Sequence, residues 1–399
     1  MGRTEPTVVR APPAFRRDAR AKKAKATINK LIPSLLSAHP RAKRGIQASE
    51  LIVRPYGEPS ATASASISNP AKSSASSQDL ARPRLTVRTV DTLTAAHSLL
   101  HSLENTTDRV AVLNMASPLS PGGGFLNGAT SQEEFLCMRT TLLPALRDEF
   151  YRLPEIGCVY TPDVLVFRTS EDGSSGGADS GENHNNDLLD KKDRWFVDVV
   201  SAAMLRLPET YVDEATGHGT YVHAKDREAV VDNMNAVMRV FQAKNAAKVV
   251  VGAWGCGAYG NPVGEIARAW RKVLLGNDSK RASKKTKKSV TQKPWTGIQE
   301  VVFAVKDATM AEALQTAFGA ELEWADEEKN ADSDEDADHE RAKAEAEAHE
   351  LVQRIRDLEI RIERAPNARV KEGLAAVLAG LQTQRAQTAG GGEESDNED

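Results

Sequence analysis

The sequence predicts an α/β domain built on a largely parallel or mixed sheet. Short apolar runs such as Val110–Asn114 and Val249–Ala253 have the continuous hydrophobicity of strands buried on both faces. Between such runs lie stretches whose apolar residues recur at helical spacing. The two kinds of segment alternate over roughly 230 residues, the pattern of a sheet covered by helices.

Taken in order, residues 1–17 read as a basic disordered arm. Residues 1–54 hold 13 Lys/Arg against 3 Asp/Glu, although the net charge of the 399-residue chain is only -4. From Arg20 to about Ser37, the spacing of Ile28, Leu31, Ile32, Leu35 and Leu36 predicts a helix that Pro33 kinks or ends early. Residues 58–84, rich in Ser, Ala and Pro, predict a linker or surface insert. A strand at Leu85–Arg88, a helix at Thr92–Leu103, the strand Val110–Asn114 and a helix at Gln132–Tyr151 follow. Strands at Val164–Arg168 and Trp195–Val200 flank a polar insert at 170–193. Next come a helix at Asp226–Gln242, the strand Val249–Ala253, a helix at Val263–Val273, a strand at Ile298–Val305 and a helix at Met310–Phe318. A Lys-rich insert occupies 277–293.

The domain therefore spans 18–320. Residues 321–340 hold 11 Asp/Glu against 1 Lys and form an acidic linker. In 341–386 the apolar residues Leu351, Ile355, Leu358 and Ile362 step by 4, 3 and 4, a coiled-coil seam. Pro366 breaks it, so a helical hairpin, homodimer contact or partner helix fits, followed by a disordered acidic tail at 387–399. The three cysteines, Cys137, Cys158 and Cys256, make no CxxC pair, which argues against a zinc or disulfide framework. No apolar run approaches the roughly 20 residues that span a bilayer.

Two loops carry the chemistry. After the strand ending at Asn114 comes a loop with Gly122, Gly123 and Gly124, then a helix start at Ser131-Gln132-Glu133-Glu134. In α/β sheets ligands bind off the carboxyl ends of strands, and glycine amides there can close on phosphate oxygens. Ser131 with Glu134 also reads as a capping box, so the acidic pair has a purely local explanation beside the catalytic one. The second loop, Gly252 to Pro262, repeats the logic, with Asn261 as N-cap and Pro262 at the first helical position. Two such loops suggest a diphosphate gripped from both sides. Neither is a Walker A or GxGxxG motif. Asp91 reads more readily as a helix cap than as an adenine contact.

At these residues the sequence resembles the microbial-type poly(ADP-ribose) glycohydrolases, a branch of the macrodomain fold. The glycine triplet, the spacer Phe125 to Ser131 and Gln132-Glu133-Glu134 match that family's signature, as do Val112 to Ser117, Phe135 to Arg139 and Gly252 to Pro262. The resemblance implies a macrodomain-like three-layer α/β/α fold with a mixed central sheet. It implies Glu134 as general acid/base and Glu133 as holder of the ribose hydroxyls. Asn114 would bind ribose, Gln132 would brace the loop, and Gly122, Gly123 and Gly124 with Gly255, Cys256, Gly257, Ala258, Tyr259 and Gly260 would line the diphosphate site. Tyr259 stands where the family often has phenylalanine on the distal ribose.

The implied reaction is hydrolysis of the ribose–ribose bond of poly(ADP-ribose), with ADP-ribose as product, no cofactor, no metal and no membrane. The rival readings are a mono-ADP-ribosyl hydrolase acting on proteins or nucleic acid, a non-catalytic ADP-ribose-binding module, and a scaffold. The resemblance also implies work in the DNA damage response, nuclear and/or cytoplasmic. The basic segments Lys22-Lys23, Arg41 to Arg44 and Lys280 to Lys288 fit import signals, polymer-binding patches or plain solvated surface.

Overall fold

A computed structural model describes residues 13–55, 82–103, 105, 107–169, 187–213, 218–276 and 295–325. The chain divides into two units, Met1–Asp326 and Glu327–Asp399. The second, with the expected coiled coil, lies outside the described residues.

The strands are β1 Glu50–Val53, β2 Arg84–Arg88, β3 Arg109–Met115, β4 Gly157–Val166, β5 Trp195–Ala202, β6 Thr210–Val212, β7 Gly219–Tyr221, β8 Ala246–Val251, β9 Glu300–Ala304 and β10 Glu323–Trp324. The α-helices are α1 Pro13–Ala26, α2 Ile32–Ala38, α3 Pro40–Gln47, α4 Thr92–Leu100, α5 Gln132–Arg139, α6 Ala224–Ala243, α7 Val263–Leu275 and α8 Ala308–Phe318. Eight strands form one sheet in the order β1-β4-β5-β3-β8-β9-β2-β10. The pairs from β5 to β10 are parallel, whereas β4 runs antiparallel to both β5 and β1. The sheet is therefore mixed, as expected.

Alternating side chains divide the core into two faces. Leu113, Val249, Val251, Val301 and Phe303 point to one face, where α6, α7 and α8 supply Met234, Phe241, Trp270 and Phe318. Val110, Val112, Val250 and Val302 point to the other, covered by Leu93 and Leu99 of α4 and Leu136 of α5. The result is three layers. β3 and β8 are adjacent and parallel, so the loops that follow them leave the sheet side by side.

Several elements differ from expectation. The first helix starts at Pro13 rather than Arg20, so residues 13–17 belong to α1 and not to the arm. Pro33 does not end the helical run, which continues to Ala38. A π-helical turn at Thr27–Leu31 precedes it, with the Ile32 amide donating five residues back to the Thr27 carbonyl. The wider turn gives the proline ring room where an α-turn would press it on the preceding carbonyls. α5 ends at Arg139, not Tyr151. Thr140 goes extended and pairs with Val166, and its hydroxyl accepts the Leu142 amide, diverting the backbone from the helix. The chain then makes short 3-10 turns at Leu143–Ala145 and Asp148–Phe150. Among the described residues, no helix is long and apolar enough to cross a membrane, and no cluster of His, Cys, Asp and Glu could hold a metal.

Candidate active site

The candidate site lies where residues 116–131 leave β3 and residues 252–262 leave β8. α5 is anchored before its carboxylates are placed. The Gln132 side chain accepts the Met115 amide (2.9 Å) and donates to the Leu113 carbonyl (2.7 Å) and the Thr92 hydroxyl (3.2 Å). Gln132 thus pins the helix start to β3 and α4. At the other end, buried Arg139 pairs with Asp91 (2.9 Å). Asp91 also caps α4 through the amides of Leu93 and Thr94. With Met115, Gln132, Phe135 and Lys306 it lines a cavity of about 290 Å³ beside the site.

Both glutamates are buried. Glu133 Oε2 accepts the Ser117 amide (2.8 Å), and Oε1 accepts the Asn114 side-chain amide at 3.4 Å. Asn114 is itself fully buried and donates to Ser201 (3.0 Å). Burial pushes Glu133 up to about 7, against the opposing pull of the Ser117, Asn114 and Gly122 donors. Glu134 Oε1 accepts the Gly124 amide (2.7 Å), and Oε2 accepts the Ser131 hydroxyl. The capping-box reading therefore fails. Ser131 occupies the N-cap position but makes no side-chain bond to the helix backbone, because its hydroxyl is spent on the glutamate.

The glycine triplet explains how this is possible. Gly122 (φ 66°) and Gly123 (φ 55°) adopt left-handed backbone, which costs glycine least. A Cβ on Gly123 would sit 2.8 Å from Glu134 Oε1 and 3.0 Å from Glu133 Oε2. The sequence suggests triplet amides turned toward phosphate. Instead, Gly122 and Gly124 donate to the two glutamates, and Gly123 donates to the Ser120 carbonyl (3.1 Å).

The second loop uses its glycines differently. Gly255 (φ 80°) and Gly260 (φ 67°) turn it. Among the described residues, the amides of Gly257, Ala258 and Tyr259 make no backbone bond, and a Cβ on Gly257 would meet nothing within 4 Å. Backbone amides left without a partner are groups that can donate to an anion. Asn261 does not cap α7. Pro262 takes that position, and the buried Asn261 side chain staples the loop instead. It accepts the Tyr221 hydroxyl (2.7 Å) and donates to the carbonyls of Leu205 (2.8 Å) and Gly255 (3.0 Å). Cys256 is half-buried, and burial pushes its thiol up to about 12. Tyr259 is half-buried too, and its hydroxyl lies beside the Ser117 side chain, so it spans from the second loop to the first.

Sequence reasoning missed Ser117, which touches both Glu133 and Tyr259, and Tyr151, whose buried hydroxyl has no partner and feels Glu133 and Tyr259. It also missed Tyr221 and the contact of α1 with the first loop. Ser117 alone had a local signal, its position just past β3.

The family described as "Microbial-type PARG, catalytic domain" matches residues 53–169. No curated protein matches the chain. Among solved structures, poly(ADP-ribose) glycohydrolase from Thermomonospora curvata is 23% identical, with a TM-score of 0.51 over 75% of this chain and 98% of that one. A glutamate-to-alanine mutant of it is 22% identical, with a TM-score of 0.50 over 75% and 100%. The Deinococcus radiodurans enzyme in complex with ADP-ribose is 22% identical, with a TM-score of 0.46 over 70% and 96%.

Proposed function

We propose that this chain, which over residues 53–169 matches the microbial-type poly(ADP-ribose) glycohydrolase catalytic family, hydrolyses the ribose–ribose bond of poly(ADP-ribose) and releases ADP-ribose. One observation carries this reading. The Glu134 carboxylate is gripped between the Gly124 amide and the Ser131 hydroxyl, directly under Gly123, and the loop that follows the adjacent strand leaves the amides of 257–259 without a backbone partner. Two phosphates of the substrate fit the amides of 257–259. The distal ribose lies between Tyr259 and the glutamates, with Glu133 toward its hydroxyls and the buried Asn114 behind Glu133.

Glycosidic cleavage passes through an oxocarbenium-like state. Glu134 gives its proton to the departing ribose hydroxyl oxygen as the anomeric C–O bond breaks. The resulting carboxylate takes a proton from water as that water's oxygen bonds the anomeric carbon. Glu134 regains its proton, and ADP-ribose leaves.

Turnover of automodified polymerase by wild type and Glu134→Gln tests this. A loss of roughly 10²-fold or more is expected for removal of an acid–base group. Equal rates would sink the assignment. Binding of ADP-ribose without release by either protein would leave a binding module, and release only from singly modified protein or nucleic acid would mark a mono-ADP-ribosyl hydrolase.

A second reading of the proton carrier follows from Glu133, the carboxyl that burial pushes up to about 7. A group poised there suits proton transfer near neutrality. A larger rate loss in Glu133→Gln than in Glu134→Gln would favour it.

We further propose self-association or a partner helix through 341–386, on the seam of Leu351, Ile355, Leu358 and Ile362. Sedimentation with and without that segment checks it. The basic segments support nuclear as well as cytoplasmic work, in the DNA damage response; an unchanged distribution after deletion of 280–288 would count against import by that segment.

A further inference from the structure

Three basic segments could meet a polyanion, and their placement separates them. Arg41 pairs with Asp163 (2.7 Å) and lies over the Phe196 ring. Asp163 also meets Arg109, the first residue of β3, at the end of the sheet away from the glutamates. Lys280 to Lys288 lie outside the described residues. The remaining segment belongs to α1, and α1 stands on the site.

Arg17 Nε donates to the Asn127 carbonyl and Arg20 Nε to the Gly128 carbonyl, each at 2.9 Å. Buried Ala24 packs with Phe125 and Cys137. Gly128 is in left-handed backbone, and a Cβ there would lie 2.2 Å from the Arg17 carbonyl oxygen. The helix is thus seated on the loop that holds Glu134. Arg20 lines a small cavity together with Glu134, Arg168 and Asp187, and Lys23 pairs with Asp187 (2.8 Å). Residues 16, 20 and 23 follow one another on a single helix face. Lys22 and Lys25 are exposed and belong to another.

We propose that the Arg16–Arg20–Lys23 face of α1 receives the anionic sugar-phosphate chain on the departing side of the scissile bond. The inference rests on the reading of the cleft given above. With the terminal ADP-ribose between the two loops and the departing hydroxyl at Glu134, the next diphosphate falls beyond Glu134, where Arg20 lines the cavity. Each phosphate met by a cation releases counterions, so this contact strengthens polymer binding in a salt-dependent way and leaves a single ADP-ribose unaffected.

The test compares the full-length wild type with Arg16→Ala/Arg20→Ala, with Arg20→Lys, and with Lys22→Ala/Lys25→Ala, an equal charge change on the other face. On long polymer at low salt, Arg16→Ala/Arg20→Ala is expected to lose about tenfold in kcat/KM, and its salt dependence is expected to flatten. Arg20→Lys keeps most of the rate, Lys22→Ala/Lys25→Ala stays within about twofold, and the Kd for ADP-ribose itself does not move. Polymer binding is read separately in a Glu134→Gln background. If wild type releases no ADP-ribose but Arg16→Ala/Arg20→Ala still weakens polymer binding, the catalytic reading falls and the α1 track stands. If turnover proceeds and the two double variants behave alike in rate and binding, the track falls and the catalytic reading stands. A parallel loss of affinity for ADP-ribose would reduce α1 to a brace for the loop and overturn the proposal. So would equal competition by DNA of the same charge.

Discussion

Glu133 gives up ordinary carboxylate behaviour in order to sit where it does. Its normal value is 4.5, and burial takes it to about 7 in the folded chain. Between those values the native state holds a proton that the unfolded chain has released. The stabilisation is therefore fully present below the lower value and is lost as pH rises through the upper one. The loss amounts to about 3 kcal/mol at pH 8. Glu133→Gln is expected to melt higher than wild type at pH 8 and close to it at pH 4. Thermal unfolding at the two pH values checks this, and lower melting at both would refute it. At this scale the sequence was informative where chemistry is local. The triplet and the glutamate pair lie within 13 residues, from Gly122 to Glu134. The Ser117–Tyr259 contact joins residues more than a hundred positions apart, and no spacing rule reaches that far.

Elements were legible in proportion to their periodicity and length. α6, α7 and most buried strands have strong patterns and came out within a few residues of their bounds, whereas β4 begins at Gly157, seven residues before the expected Val164, because Pro162 and Asp163 interrupt its apolar run. The four-residue edge strand β1, the three-residue strands β6 and β7 and the two-residue β10 have none to show. α5 was overextended because its apolar spacing continues past Arg139, whereas the pairing of Thr140 with Val166 is decided by a distant strand. The contact of α1 with the first loop was equally hidden, since it depends on the absence of a side chain at Gly128. Gly128→Ala is expected to cost about 2 kcal/mol or more, from left-handed backbone and the clash with Arg17. Chemical denaturation measures the loss, and a protease cut appearing within α1 would locate it. A variant as stable as wild type and equally resistant would show that the helix adapts at little cost.

For the molecule as a whole, alternation of strands and helices indicated the class, but not the order of strands. That order makes the site. β3 and β8 begin about 137 residues apart, yet they pair, so two loops remote in sequence face one another. The Tyr221–Asn261 bond and the Gln132 anchors then fix each wall separately. The seating of α1 adds a consequence in time. The amides of Phe125, Asn127 and Gly128 are bonded within their own loop, and the helix lies across them. The helix covers the loop, so the loop amides are expected to open only after α1 lifts, which makes the two one cooperative opening unit. Amide hydrogen exchange should find a common rate for α1 and for residues 125–128, and both should slow together when ADP-ribose enters the cleft. Two unrelated rates would mean that the helix rests on the loop without governing it. With a common rate, and on the function proposed above, the dwell time of bound ADP-ribose is set in part by a helix that lies before the family-matched segment begins.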